Sequence, residues 1–270
     1  MALALHGVEL RSVHASLLEK FAHEPLPVPG GSRPGPADLT ERILRSADAR
    51  AAAHHPRTRV FADAEADDPE AVLLRAARNA LAVVVGRRGR GPVRELLLGS
   101  VSLAVAAQAQ CPVIVVRGSE AGFAGTHERV LLGVGSPDST GSAVRFAFAE
   151  AAARHCVLDA MHAWRAPVQE TADPPLLADG PLRRPPSSAR ALLDEALREP
   201  GRAHPDVFVR PACVPGPARR ILIDRSAAAD LLIIGARRRH GHIGLQLGPV
   251  GHAVLHHADC PVAVVPQHGS

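Results

Sequence analysis

The chain has 270 residues, 46% hydrophobic and 21% charged, which excludes a disordered polypeptide because enough apolar side chain is present to offset the entropy of ordering. With 31 basic against 27 acidic residues the net charge is only +4, too balanced to mark a nucleic-acid protein by itself. Aromatics are 3%, as six Phe, one Trp and no Tyr, which argues against a surface on which bases or sugars stack.

The predicted elements follow in chain order. Val8 to Ala15 reads as a strand through its match to a later segment, and Pro25 to Pro36 is a Pro-rich loop. Ala82 to Val85 is an apolar strand, Val101 to Gln108 a helix and Val113 to Val116 a strand; Gly118 to Glu128 is a short Gly-rich linker. Val130 to Val134 is the next strand, and Pro137 to His155 a helix with Val144, Ala147, Phe148 and Ala151 at i, i+3, i+4, i+7. A strand at Cys156 to His162, a Pro-rich loop to Pro186 and a helix near Ala189 to Arg198 come next. Strand Val207 to Arg210, helix Ala218 to Ala228, strand Leu231 to Gly235, helix Val250 to His257 and strand Val262 to Val265 complete the order. Strands apolar throughout, alternating with amphipathic helices, require a sheet covered on both faces.

The chain is two copies of one module. Ala82-Val-Val-Val-Gly86, Gly99 and Cys111-Pro-Val-Ile-Val-Val116 recur as Leu231-Leu-Ile-Ile-Gly235, Gly248 and Cys260-Pro-Val-Ala-Val-Val265, each 149 residues later. The segment ending His14-Ala recurs at His162-Ala, 148 residues later. At that offset Met1 corresponds to Ala149, so Met1 to Leu5 read as the stub of a helix, and the first copy follows the order from its second strand onward. Unpaired strand edges cost free energy for each orphaned backbone group, which favours a longer reading frame over a truncated first half. The fold expected is two tandem doubly wound, Rossmann-like parallel α/β domains, 1–117 and 129–267, joined by a linker at 118–128. The first lacks its first strand and most of its first helix.

One pattern carries chemistry. After the strand at 82–85 come Gly86-Arg-Arg-Gly89, nine residues, and Gly99-Ser100 at a helix start. Glycines let backbone approach an anion, and helix-start N–H groups supply donors at the positive end of the dipole. Arg87, Arg88, Arg90 and Arg94 lie nearby to attract a phosphate. The plainer alternative is turn glycines, a helix cap and solvated arginines. The spacing Gly-x-x-Gly, nine residues, Gly-Ser, with Leu96-Leu-Leu-Gly-Ser-Val-Ser102, the Cys-Pro-Val-Ile-Val-Val ending and Gly133-Val-Gly-Ser-Pro-Asp-Ser139, resembles the nucleotide-binding signature of the universal stress protein family. The resemblance extends over nearly the whole chain as a tandem pair.

That resemblance implies ATP as ligand, with Gly86, Gly89, Gly99 and Ser100 holding ribose and phosphates and the backbone of Val101 close by. It also implies pairing of the two halves about a pseudo-twofold axis through Val113 to Val116 and Val262 to Val265, and it admits a homodimer. The second copy departs from the pattern: Arg238 stands at the middle glycine, Pro249 replaces the serine, and Gly133-Val134-Gly135 lacks the family's acidic residue. The first copy keeps the phosphate loop and lacks the first-strand turn. A non-enzymatic stress-response module is the expectation, with a ligand-free scaffold as its alternative and an ATP-dependent enzyme as a third reading.

Other constellations weigh less. Arg237-Arg-Arg-His240-Gly-His242 could meet nucleic-acid phosphate, yet arginines in a loop are more often simply solvated. His252 and His256 share a helix face, but no Glu is interposed as in His-Glu-x-x-His. No Gly-x-Ser-x-Gly elbow or Walker A sequence occurs, and Gly135-Ser-Pro-Asp-Ser139 lacks the paired glycines of a pyrophosphatase loop. Cys111, Cys156, Cys213 and Cys260 form no C-x-x-C pair and read as reduced, packed thiols. His14 and His162 read as structural, and Trp164 as packing over the sheet edge. No apolar run approaches the ~20 residues that cross a bilayer, and Met1 to His6 lacks the features of a secretory signal, so a cytoplasmic location without membrane is expected.

Overall fold

The computed structural model describes residues 7–17, 36–54, 56, 58–86, 98–118, 125–135, 141–164, 185–237 and 247–267. The chain divides into two compact units, residues 1–80 and 81–270. In the first, strand β1 (Leu10–Ala15) pairs in parallel with β2 (Val60–Glu65), in register from Leu10 opposite Val60 to Ala15 opposite Glu65. Helix α1 (Pro36–His54) packs on both strands and α2 (Pro69–Ala77) on β1. The start of α2 is written in Asp67-Asp68-Pro69-Glu70: Asp68 accepts the Ala71 N–H at 2.9 Å, Pro69 needs no partner in the first turn, and Glu70 suits the dipole. Val72 and Ala77 turn inward and are buried.

The second unit holds the sheet that positions the site. In chain order its elements are β3 (Val83–Gly86), α3 (Ser100–Gln108), β4 (Val113–Val116), β5 (Arg129–Val134), α4 (Gly141–Arg154), β6 (Val157–Trp164), α5 (Ser187–Ala203), β7 (Val209–Pro215), α6 (Ala218–Ser226), β8 (Leu231–Arg237), α7 (Pro249–His257) and β9 (Val262–Gln267). The strands lie in the order β3-β4-β9-β8-β5-β6-β7. Every pairing is parallel except β4 with β9, which run antiparallel with Val113 opposite Val264 and Val115 opposite Val262. The second copy alone is thus a doubly wound sheet whose order reverses between β5 and β8, the place where such sheets open a crevice.

Its two faces are covered by different helix pairs. Leu222 of α6 comes so close to Gly133 that an added Cβ would lie 3.0 Å from its Cδ1, and Gly251 of α7 sits on Ile234. Helix α4, which packs on α5 and on β5, β8 and β9, occupies the opposite face. Phe148, Leu158, Leu193, Leu232, Ile233 and Leu255 fill the layers between and are fully buried, the burial that makes such a sheet stable.

Two local expectations are corrected. Strand β7 runs from Val209 to Pro215 rather than ending at Arg210, and it includes Pro211. Proline reads as a strand breaker, but β7 is the sheet's edge, where a missing N–H facing outward removes no ladder bond. Strand β6 is longer as well, Val157–Trp164 rather than ending at His162: Trp164 lies within it, opposite Pro215 of the edge strand, and is buried.

Candidate functional site

The site read from the sequence lies where β3 hands over to α3. Val83 to Gly86 form a strand because three successive valines fit a pleated surface. Gly86 ends it, and chain returns to the described residues at Leu98, which is buried. Gly99 is the N-cap of α3, extended at φ −63°, ψ 146°, and Ser100 and Val101 are its first helical residues. The first ladder bond of α3 runs from the Leu103 N–H to the Gly99 carbonyl at 3.0 Å. The N–H groups of Ser100, Val101 and Ser102 therefore stand ahead of the ladder. Ser100 is exposed, and no acidic residue occupies the first turn to oppose an anion. Gly86, Gly99, Ser100 and Val101 are thus placed at the two ends of one bend. Gly89 and the arginines at 87, 88, 90 and 94 lie outside the described residues.

A further residue joins these ends. The Ser102 hydroxyl donates to the Gly86 carbonyl at 2.7 Å, bridging a separation of 16 residues. The sequence offers two serines, Ser100 and Ser102, and only the helical phase separates them: Ser100 faces solvent and Ser102 turns toward the strand end and is buried. Ser102→Ala leaves that carbonyl without its partner, so a stability loss of about 1 kcal/mol is expected in urea unfolding. Loss of the tie is also expected as faster amide exchange at Gly86 and Gly99. A variant with unchanged exchange there would remove the positioning role.

The equivalent bend of the second copy has the same backbone and different chemistry. Gly248 caps α7 at φ −60°, ψ 169°, and the His252 N–H reaches its carbonyl at 3.1 Å. Pro249 occupies the first helical position and has no N–H to present. Arg238 lies outside the described residues. At the strand-end crevice, the buried Gln267 at the end of β9 accepts the Ser142 N–H at the start of α4 (3.0 Å), while its Nε2 donates to the Val265 carbonyl (3.0 Å). The protein's own carboxamide thus satisfies one of the donors that α4 exposes. His162 Nδ1 lies 3.0 Å from the Val134 carbonyl, joining the ends of β5 and β6.

The remaining polar groups hold the frame. Asp230 accepts the His127 N–H at 3.0 Å and the Arg129 N–H at 3.1 Å, fixing the entry to β5. Buried Asp159 lies 3.4 Å from both Arg129 and Arg210. Burial pushes the Cys260 thiol up to about 12 and raises Cys111 as well, so both stay protonated and unreactive. His252 and His256 stack with ring centres 6.5 Å apart, and no group of three possible metal ligands occurs among the described residues. Nor, among those residues, is any helix long and apolar enough to cross a membrane.

Comparison with known proteins bears on the family and the fold. The sequence model of the Universal stress protein family matches residues 1–117 and 126–266. A universal stress protein of Mycobacterium tuberculosis is 36% identical over 201 residues, covering 74% of this chain and 66% of that protein. A universal stress protein of Mycolicibacterium smegmatis is 34% identical over 194 residues, covering 72% and 64%. The chain therefore matches just under two thirds of the length of these relatives. Among solved structures, a universal stress protein from Archaeoglobus fulgidus superposes with a TM-score of 0.59 at 17% identity, over 88% of this chain and 84% of that one, a likeness of fold.

Proposed function

Since the chain belongs to the universal stress protein family, we propose that it is a non-enzymatic, cytoplasmic stress-response or signalling module whose first copy binds ATP at the bend from β3 to α3. The observation that carries this reading is the start of α3: three N–H groups ahead of the ladder, a glycine at the cap and no carboxylate in the first turn. Amides aligned with the positive end of a helix dipole are the groups that hold a phosphate. Gly86, Gly89, Gly99 and Ser100 line the ribose and phosphates, with the Val101 N–H among the donors, and Ser102 keeps the two ends of the bend together. The second copy does not take part, because Pro249 withholds a donor and Gln267 already occupies the start of α4. The domains are 1–117 and 129–267, and the antiparallel pairing of their last strands, β4 with β9, supports pairing of the two halves through those strands.

That pairing also favours a second reading, in which the protein serves only as an assembly scaffold. Equilibrium dialysis with labelled ATP separates the two. Gly99→Asp is the informative variant, because aspartate is a good N-cap and preserves α3 while its carboxylate stands where the phosphates go. Retention of ATP by the native chain and a loss of at least tenfold in Gly99→Asp are expected. No retention by either protein would leave the scaffold. Turnover of ATP that Ser100→Ala slows would favour an enzyme over both.

A further inference from the structure

Helix α7 carries two histidines that nucleotide binding does not use. His252 and His256 are four residues apart, so their side chains rise from one face of the helix, one turn above the other. The adjoining stripe of Gly251, Val254 and Leu255 is buried, whereas both imidazoles are half-buried and reach solvent. Their ring planes differ by only 6°, with centres 6.5 Å apart. Among the described residues neither ring is engaged in a hydrogen bond. Two imidazoles side by side with uncommitted nitrogens are a ligand pair.

The backbone beneath this pair is held from both ends. The His252 N–H reaches the Gly248 carbonyl at 3.1 Å, and the Ala258 N–H reaches the Val254 carbonyl at 2.9 Å. Arg117 adds its fork from outside the helix, donating to the Val254 carbonyl at 2.9 Å and to the carbonyl of His256 itself at 2.7 Å. Ligands on a fixed helix lose little freedom when an ion joins them. The pair belongs to the second copy alone, since the equivalent positions of α3 are Leu103 and Ala107. In His-Glu-x-x-His the histidines hold the metal and the glutamate is the base. Its absence here removes the hydrolytic chemistry and leaves the chelate. His257 is exposed and its ring is tilted by 49° to that of His256; as the next residue it points elsewhere around the helix.

We propose that His252 and His256 form a chelating site for a late first-row divalent transition ion, with one nitrogen from each ring and water in the remaining positions. Imidazole nitrogen suits copper, nickel and zinc, and among these copper binds most tightly to a given set of ligands. Helix α7 itself offers no carboxylate, which leaves nothing for the oxygen-seeking magnesium and calcium ions. The site is independent of nucleotide binding.

The test titrates copper(II) chloride into the full chain at pH 7.5 and follows the histidine ring signals by NMR, in which the paramagnetic ion broadens the nuclei nearest to it. The His252 and His256 signals are expected to disappear together, before those of any other histidine. Zinc(II) in excess should restore both, and magnesium(II) neither. In His252→Gln the copper concentration that halves the His256 signal is expected to rise at least tenfold, and His256→Gln should do the same to His252. His257→Gln should change it less than twofold. Circular dichroism checks the folding of each variant, and either of the two ligand variants suffices. The proposal is overturned if other histidines broaden first, if removing one ring leaves the half-point of the other unchanged, or if His257→Gln raises it tenfold as well.

Discussion

Arg117→Ala is expected to lower unfolding free energy by about 2–4 kcal/mol, through the loss of two charge-assisted bonds to a helix end. Arg117 follows β4 in the first copy and is buried, yet its guanidinium serves the second: Nη1 donates to the Val254 carbonyl at 2.9 Å and Nη2 to the His256 carbonyl at 2.7 Å. These belong to the last turn of α7, where the dipole is negative, and the Val254 carbonyl accepts the Ala258 N–H at 2.9 Å as well. The residue 149 positions later is Pro266, so α3 receives no reciprocal clamp. Arg117→Lys keeps the charge but not the planar fork, and roughly half the loss is expected. The measurement belongs near pH 7.5. His256 is held below its ordinary 6.5 by burial and then by His257, His252 and Arg117. With the folded value depressed, the unfolded chain binds more protons and stability falls as pH drops through 6.5. A loss below about 1 kcal/mol for Arg117→Ala would show that solvent replaces the clamp.

Such a contact has no trace in the sequence, because it joins residues 137 and 139 positions apart through backbone carbonyls, which every residue carries. Gln267 is hidden for the same reason: its partner is the N–H of Ser142, 125 positions away. What repeats is legible. The apolar blocks ending in Gly86 and Gly235 became β3 and β8, and the Cys-Pro-Val blocks became β4 and β9, because uninterrupted apolar runs separated by helix-period segments have few ways to be buried. The bend at Gly99 was legible too, since glycine followed by a hydroxyl residue at a helix start has a local cause. Ser102 stood in the same motif, but its role depends on helical phase relative to the end of β3. Edge position, which let β7 keep its prolines, is a property of the whole sheet and cannot be read from Val209 to Pro215.

Gly118→Ala is expected to be costlier still, about 2–6 kcal/mol, as the sum of two independent penalties. The first is conformational: Gly118 has φ +104°, a region in which an L side chain carries roughly 1–3 kcal/mol of strain. The second is steric. A Cβ there would lie 2.2 Å from the Asp259 carbonyl oxygen, 2.4 Å from its carbon and 2.8 Å from the Cys260 nitrogen, so backbone must shift, and overpacking of that kind costs about 1–3 kcal/mol. The obstructing turn is itself held: the Asp259 N–H donates to Ser226 Oγ at 2.8 Å, and that hydroxyl donates to the Ile223 carbonyl at 2.6 Å. Relief on one side therefore breaks a bond on the other. With a total stability of about 5–15 kcal/mol for a typical native protein, a fall in Tm of about 10 °C follows. Gly248→Ser is the matched control, since Gly248 has φ −60° and nothing within 4 Å of an added Cβ. Serine also suits an N-cap, so its Tm should stay within about 2 °C of the native value. Equal Tm values for Gly118→Ala and the native chain would mean that β4 leaves the sheet by a different path from the one that brings it against Asp259.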